Sequence, residues 1–191
     1  MARTRMALGV FLDDQALFDL GTRLLFEVQY SNNDITTVHG HAVNLLGLSI
    51  AATGEVMEFN RGGGDSAHGT GTLNSLVNAA EILRQQDVGD EHNLYEMMLS
   101  EDGDTRPRLL LGSEFAANAY VNSPTNIIKN DSFSNGTKGS YSEMVLNYYL
   151  HVSSDAYAVD LTREANAAFR PTTGAGYIAP WTTLTHADVS E

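Results

Sequence analysis

The sequence predicts a mainly β fold: an antiparallel β-sandwich of jelly-roll type with one inserted amphipathic helix. Three observations predict it. Between Tyr141 and Val152, the residues Met144, Leu146, Tyr148, Leu150 and Val152 alternate with Glu143, Val145, Asn147, Tyr149 and His151. A period of two puts successive side chains on opposite faces of a sheet. Thr22–Tyr30 repeats the pattern, with Leu24, Phe26, Val28 and Tyr30 set against Arg23, Glu27 and Gln29. Short runs of this kind recur between turn clusters along the chain, without the βαβα alternation of a doubly wound sheet.

Arg5–Leu12 reads as a first strand, and Phe11–Phe18 as an ambiguous stretch that can hold a helical turn. Thr22–Tyr30 is the first secure strand, ended by the turn cluster Ser31-Asn32-Asn33-Asp34. Ile35–His39 and Ala42–Ala52 read as strands, and Thr53-Gly54 as the hairpin turn that leads into Glu55–Asn60. A glycine-rich segment, Arg61–Gly71, breaks the pattern. Beyond it Leu73, Leu76, Val77, Ala80 and Leu83 fall at spacings of three and four, the apolar face of a helix over Thr72–Gln86. Thr72 suits its N-cap and Gly89 its end, and Asp90 can cap a second short helix that carries Leu94, Met97 and Met98.

Past an acidic turn at Ser100–Thr105, Pro107–Leu111 and Phe115–Val121 read as strands joined by Gly112-Ser113. Asn122–Ser140 is a long polar loop, and Tyr141–Val152, Ala156–Thr162 and a stretch within Gly174–His186 complete the strands. The 191 residues suit one domain over 1–191, in which the glycine-rich loop and helix form an excursion at about 61–99.

Composition narrows the function classes. The 42% of hydrophobic residues is enough for a core. No apolar run reaches the ~18–20 residues of a membrane helix. Met6–Leu12 is too short for a secretory h-region and runs into Asp13-Asp14, so no signal peptide is expected. There is no cysteine, which excludes disulfides, thiolate catalysis, iron–sulfur clusters and cysteine zinc sites.

The net charge is −13, from 24 acidic and 11 basic residues, and Lys129 and Lys138 are the only lysines. Such a surface repels nucleic-acid phosphates and suits a salt-adapted protein. Arg3 and Arg5 make one local basic point, either an arm or an ordinary solvated terminus.

No chemical motif is complete. In Arg61–Gly71 a phosphate loop would need a lysine after its last glycine, where Thr70 follows Gly69, and the dinucleotide fingerprint would need a third glycine at Asn74. Asp65-Ser66 with His68 suggests a hydrolase, but His68 stands where the nucleophile elbow has glycine. His186 and Asp188 are the distant residues able to complete such a site. A surface loop is the default for this segment. His39 and His41 would share a strand face and could hold a metal ion, yet no third ligand is identifiable.

Glu101, Asp102 and Asp104 around Gly103 lack the spacing of a calcium loop and read as an acidic turn. Asn130-Asp131-Ser132 and Asn135-Gly136-Thr137 match the glycosylation pattern by composition of an Asn-rich loop. Tyr148, Tyr149, Tyr157, Tyr177 and Trp181 gather in the last third of the chain, as core packing or as the anchors of a subunit interface, with Tyr149 on the more polar strand face. No catalytic, cofactor-binding or metal residue is assigned, and no cofactor or enzymatic activity is expected.

In size, in strand series such as Leu24–Tyr30 and Met144–Val152, and in its acidic, lysine-poor surface, the chain resembles the single-jelly-roll coat proteins of tailless icosahedral viruses of salt-loving archaea and related bacteriophages. The resemblance implies a capsid subunit whose strands stand upright on the viral shell above an internal membrane. Its partners would be copies of itself and other virion proteins, and its place the virion, assembled in the host cytoplasm. The alternatives are a phage tail-tube subunit, for which the helix Thr72–Gln86 beside a sandwich is apt, a β-barrel hydrolase or lyase working from Ser66 and His68, and a sugar- or ligand-binding sandwich with Trp181 and the tyrosines as a stacking platform.

Overall fold

Residues Ser140–His151, expected as the clearest strand, form a helix. Within it Tyr141, Met144, Val145, Tyr148 and Tyr149 are all buried. Their positions, i, i+3, i+4, i+7 and i+8, are the stripe of a helix facing a core. Ser142, Glu143 and Leu146 are buried as well, so the helix is enclosed on most of its circumference. The side chains that alternate in sequence are thus buried nearly all round, and alternation within such a run does not decide between helix and strand.

The structure, a computed structural model, describes residues 2–26, 29–31, 34–36, 46–47, 49–57, 59, 66–99, 103–122 and 140–169. These residues form a helical fold, which corrects the expected β-sandwich and jelly roll. The helices are α1 (Ala2–Leu12), α2 (Gln15–Phe26), α3 (Ser66–Gln85), α4 (Arg108–Asn122), α5 (Ser140–His151) and α6 (Asp160–Phe169), with a 3-10 turn at Asp90–His92. Two three-residue strands, β1 (Gln29–Ser31) and β2 (Asp34–Thr36), pair antiparallel with Tyr30 opposite Ile35. A single antiparallel bridge joins Ile50 to Val56 across the expected Thr53-Gly54 turn, where Gly54 has φ +85° and its N–H bonds to the Ala51 carbonyl at 2.8 Å. Among the described residues these short pairings are the whole of the β structure.

The long central helix has the face that the sequence predicts. Leu73, Leu76, Val77, Ala80 and Leu83 are buried, but the helix starts at Ser66, so Thr72 is an interior residue and not the N-cap. The chain leaves it through Asp87 in the left-handed region. Helices α1, α4 and α5 pack on α3, and α6 packs on α4 and α5.

The expected strand pair Pro107–Leu111 and Phe115–Val121 is the continuous helix α4, begun at Pro107, whose carbonyl accepts the Leu111 N–H at 3.0 Å. Gly112 does not turn the chain. A Cβ there would lie 2.8 Å from Ile50 Cδ1 and 2.9 Å from Leu73 Cδ2, so glycine lets α4 approach α3 and the Ile50 segment closely.

Arg5–Leu12 and most of Thr22–Tyr30 are likewise helical, forming the hairpin of α1 and α2. Phe18, Gly21 and Leu25 are buried at spacings of three and four, against Met6 and Gly9. A Cβ at Gly9 would meet Phe18 N at 2.5 Å, and one at Gly21 would meet Met6 Cγ at 2.6 Å and Met6 N at 2.7 Å. The two helices therefore touch backbone to backbone. Asp13, at φ 54°, makes the turn, and Asp14 caps α2 by accepting the Leu17 N–H at 3.0 Å. The expected strand at Ala156–Thr162 is irregular chain that runs into α6 at Asp160.

Candidate interaction surface

The described residues cover only part of the segments that the sequence singles out for chemistry. Ser66 opens α3, and His68, exposed, lies two residues along the same helix. Gly69 and Gly71 are helix interior rather than a phosphate cradle. Residues 61–65 of the glycine-rich segment, His39 and His41, Glu101 and Asp102, Asn130 and Asn135, and Tyr177, Trp181, His186 and Asp188 lie outside the described residues. Among the described residues no group of three or more metal-ligating side chains occurs.

Asp104, read from the sequence as part of an acidic turn, is half of a buried ion pair. Its side chain is 0% exposed and that of Arg108 1% exposed. Arg108 Nε donates to Asp104 Oδ2 and Nη2 to Oδ1, both at 2.7 Å, while Nη1 donates to the Ile50 carbonyl at 2.6 Å. The Leu99 N–H adds a bond to Oδ2 at 2.8 Å, and the Arg108 N–H reaches the Met97 carbonyl at 3.0 Å. Burial pushes the Asp104 carboxyl up, but the Arg108 hydrogen bonds, the Leu99 N–H and the Arg108 charge outweigh it and hold the group below its ordinary value. The pair pins residues 97–99 and Ile50 to the first turn of α4.

A second network joins α4 to α6. Glu114 Oε1 accepts the Thr162 N–H at 2.9 Å and the Thr162 hydroxyl, and Ser113 Oγ lies 3.1 Å from Thr162 Oγ1. A carboxylate from one helix thus caps the N-terminus of another.

The tyrosines do cluster, and they cluster inside. Tyr95 stacks on Tyr148 with centroids 4.1 Å apart, and Tyr149 meets Tyr148 and Tyr157 edge to face at 5.2 and 5.7 Å. The Tyr149 hydroxyl donates to the Tyr95 carbonyl, and Asn93 Nδ2 donates to the Tyr148 hydroxyl at 2.8 Å. Tyr149 is 4% exposed. It is a core residue here, as the core-packing reading of the tyrosines has it, and it does not serve as the anchor of the interface alternative. Burial pushes the Tyr148 hydroxyl up to about 12 and those of Tyr95 and Tyr149 well up.

Among the described residues the largest exposed apolar group lies on α1. Leu8, Val10, Phe11 and Leu12 are 45, 44, 83 and 58% exposed, and Leu20 on α2 is 42% exposed. With Met6 and Gly9 turned to α2, the opposite face of α1 shows Thr4, Ala7, Leu8 and Phe11, all exposed. Arg3 and Arg5 flank this stripe as half-buried helical residues and not as an arm. Sequence reasoning missed the face because it read the segment as a strand. The spacing 4, 7, 8 and 11 was the available signal. No described helix is long and apolar enough to cross a membrane.

Comparisons with known proteins give no match: no family model fits the chain, and no curated protein or solved structure matches it.

Proposed function

We propose that this protein works by association, as a self-assembling structural subunit. The observation that carries the reading is the outer surface of α1, where Leu8 and Phe11 share the exposed face and Val10 and Leu12 meet solvent on its two flanks. Scattered surface apolar residues need no explanation, but a contiguous group centred on a nearly bare phenylalanine marks a contact surface. A virion shell is one setting for such a subunit. Of the strand series that suggested it, Leu24–Phe26 lie in α2 and Met144–His151 in α5, with Gln29 and Tyr30 in the short strand β1, so support for assembly comes from α1 and not from an upright β-sandwich.

Size-exclusion chromatography with light scattering of the full chain tests the reading across protein concentration and salt. Oligomers that grow with concentration are expected. A strict monomer under all conditions refutes it.

A further inference from the structure

Building on the association reading, we infer that α1 docks antiparallel on α1 of a second copy of this chain, about a two-fold axis passing near Ala7 and Leu8. The outer stripe is self-complementary in size. Antiparallel apposition about that axis sets Phe11 over the partner's Thr4 and Leu8 against the partner's Ala7, so each large side chain meets a small one. An isologous contact of this kind closes on itself.

The charges agree. Helix α1 carries Arg3 and Arg5 at its start and no acidic residue, in a chain of net charge −13, and it ends at Asp13 and Asp14. Cations at a helix N-terminus oppose the helix dipole. In the antiparallel pair the arginines of each copy lie beside the C-terminal end of the other α1 and its Asp13, where both the dipole and the side chain are negative. The same residues argue against an anionic bilayer as the occupant. Two arginines are few, the acidic turn lies at the end of the same helix, and the rest of the chain repels negative headgroups.

Helix α1 is 11 residues long, so the contact runs for about 16 Å. A single helix pair of this length is small beside the ~1,200–2,000 Å² of specific stable interfaces, so the dimer should be weak.

Sedimentation equilibrium of the full chain from about 1 to 500 µM reads the association. Phe11→Asp should raise the dissociation constant at least about tenfold. The double variant Arg3→Glu/Arg5→Glu and the single variant Asp13→Lys should each weaken self-association, and mixing the two should restore a heterodimer. Far-UV circular dichroism checks that every variant keeps its helices. If the wild type assembles but Phe11→Asp leaves its dissociation constant unchanged, or the mixed charge variants do not recover, the α1 contact is overturned while the association reading stands. If the wild type is monomeric throughout, the association reading itself fails. Sedimentation of the monomer with phosphatidylserine vesicles, lost in Phe11→Asp, would assign the face to a membrane and overturn the dimer.

Discussion

Arg108→Met should be among the most damaging single substitutions in the described part of the chain. It removes two hydrogen bonds to Asp104 and one to the Ile50 carbonyl, and leaves a carboxylate whose side chain is 0% exposed with only the Leu99 N–H. Breaking a buried ion pair from one side costs about 3–5 kcal/mol, because the remaining charge stays buried without its partner. Domains of this size hold only ~5–15 kcal/mol in total, so the denaturation midpoint in urea should fall steeply. The double variant Asp104→Asn/Arg108→Met removes the stranded charge and should recover a substantial part of the loss. A double-mutant cycle gives the coupling.

The pH dependence separates this account from simple loss of packing. In the wild type the Asp104 pKa is lowered by folding, so its contribution is fully present above the unfolded value of about 3.9 and is lost as pH falls through the folded one. In Arg108→Met burial acts without the arginine and raises the folded pKa. The variant should then gain stability relative to wild type as pH falls. A loss under about 1 kcal/mol, or one that does not change with pH, would refute the reasoning.

Three further outcomes follow from the packing. Gly21→Ala gains roughly 1 kcal/mol of helix propensity but sets a Cβ 2.6 Å from Met6 Cγ and 2.7 Å from Met6 N, so a net loss of about 1–3 kcal/mol is expected in chemical denaturation, and stabilisation would contradict the close helix contact. Tyr149→Phe keeps the ring but removes the donor to the Tyr95 carbonyl, which should cost about 1–2 kcal/mol with the tyrosine cluster's near-UV dichroism largely retained; an unchanged stability would remove that hydrogen bond from the account. Tyr148 is pushed up to about 12 in the folded chain against about 10 when unfolded, so its contribution is intact below pH 10 and is lost as pH rises toward 12. Tyrosinate absorbance should therefore show a late group that ionises together with loss of helical dichroism. Titration of every tyrosine near 10 with the helices intact would count against burial of the cluster.

What the sequence made legible depends on how sharply each segment separates apolar from polar. The face of α3 was legible because Leu73, Leu76, Val77, Ala80 and Leu83 are interleaved with Asn74, Ser75, Asn78 and Glu81, which leaves a clear stripe. Only its start was misplaced, since the Gly69 and Gly71 that suggest a loop are helix interior; Gly69 is buried against Phe59, where a Cβ would lie 2.7 Å from Phe59 Cα. Helix α5 was illegible for the opposite reason. Val145 and Tyr149 stand out as interruptions of a polar strand face, yet with Tyr141, Met144 and Tyr148 they complete a helical stripe. In α4 and in the α1–α2 hairpin the misleading residues are Gly112, Gly9 and Gly21. Each looks like punctuation in one dimension and serves a close approach in three.

The same distinction explains why the tyrosines and α1 exchanged roles. Tyr149 drew attention as an interface anchor because aromatic residues mark interfaces, but a helix enclosed on nearly all sides consumes its aromatics internally, and the Tyr149 hydroxyl finds its acceptor on Tyr95 without leaving the core. Helix α1 packs on α2 and α3 through few fully buried residues. Met6 and Gly9 are its buried residues, and the glycine contributes backbone proximity rather than apolar area. A helix of 11 residues is marginal alone. One that spends Leu8, Val10, Phe11 and Leu12 on solvent gives up most of the burial that could fix it. Covering that face by a second copy would restore the missing burial and set Arg3 and Arg5 against Asp13, so assembly and the local stability of the hairpin are the same free energy seen from two sides.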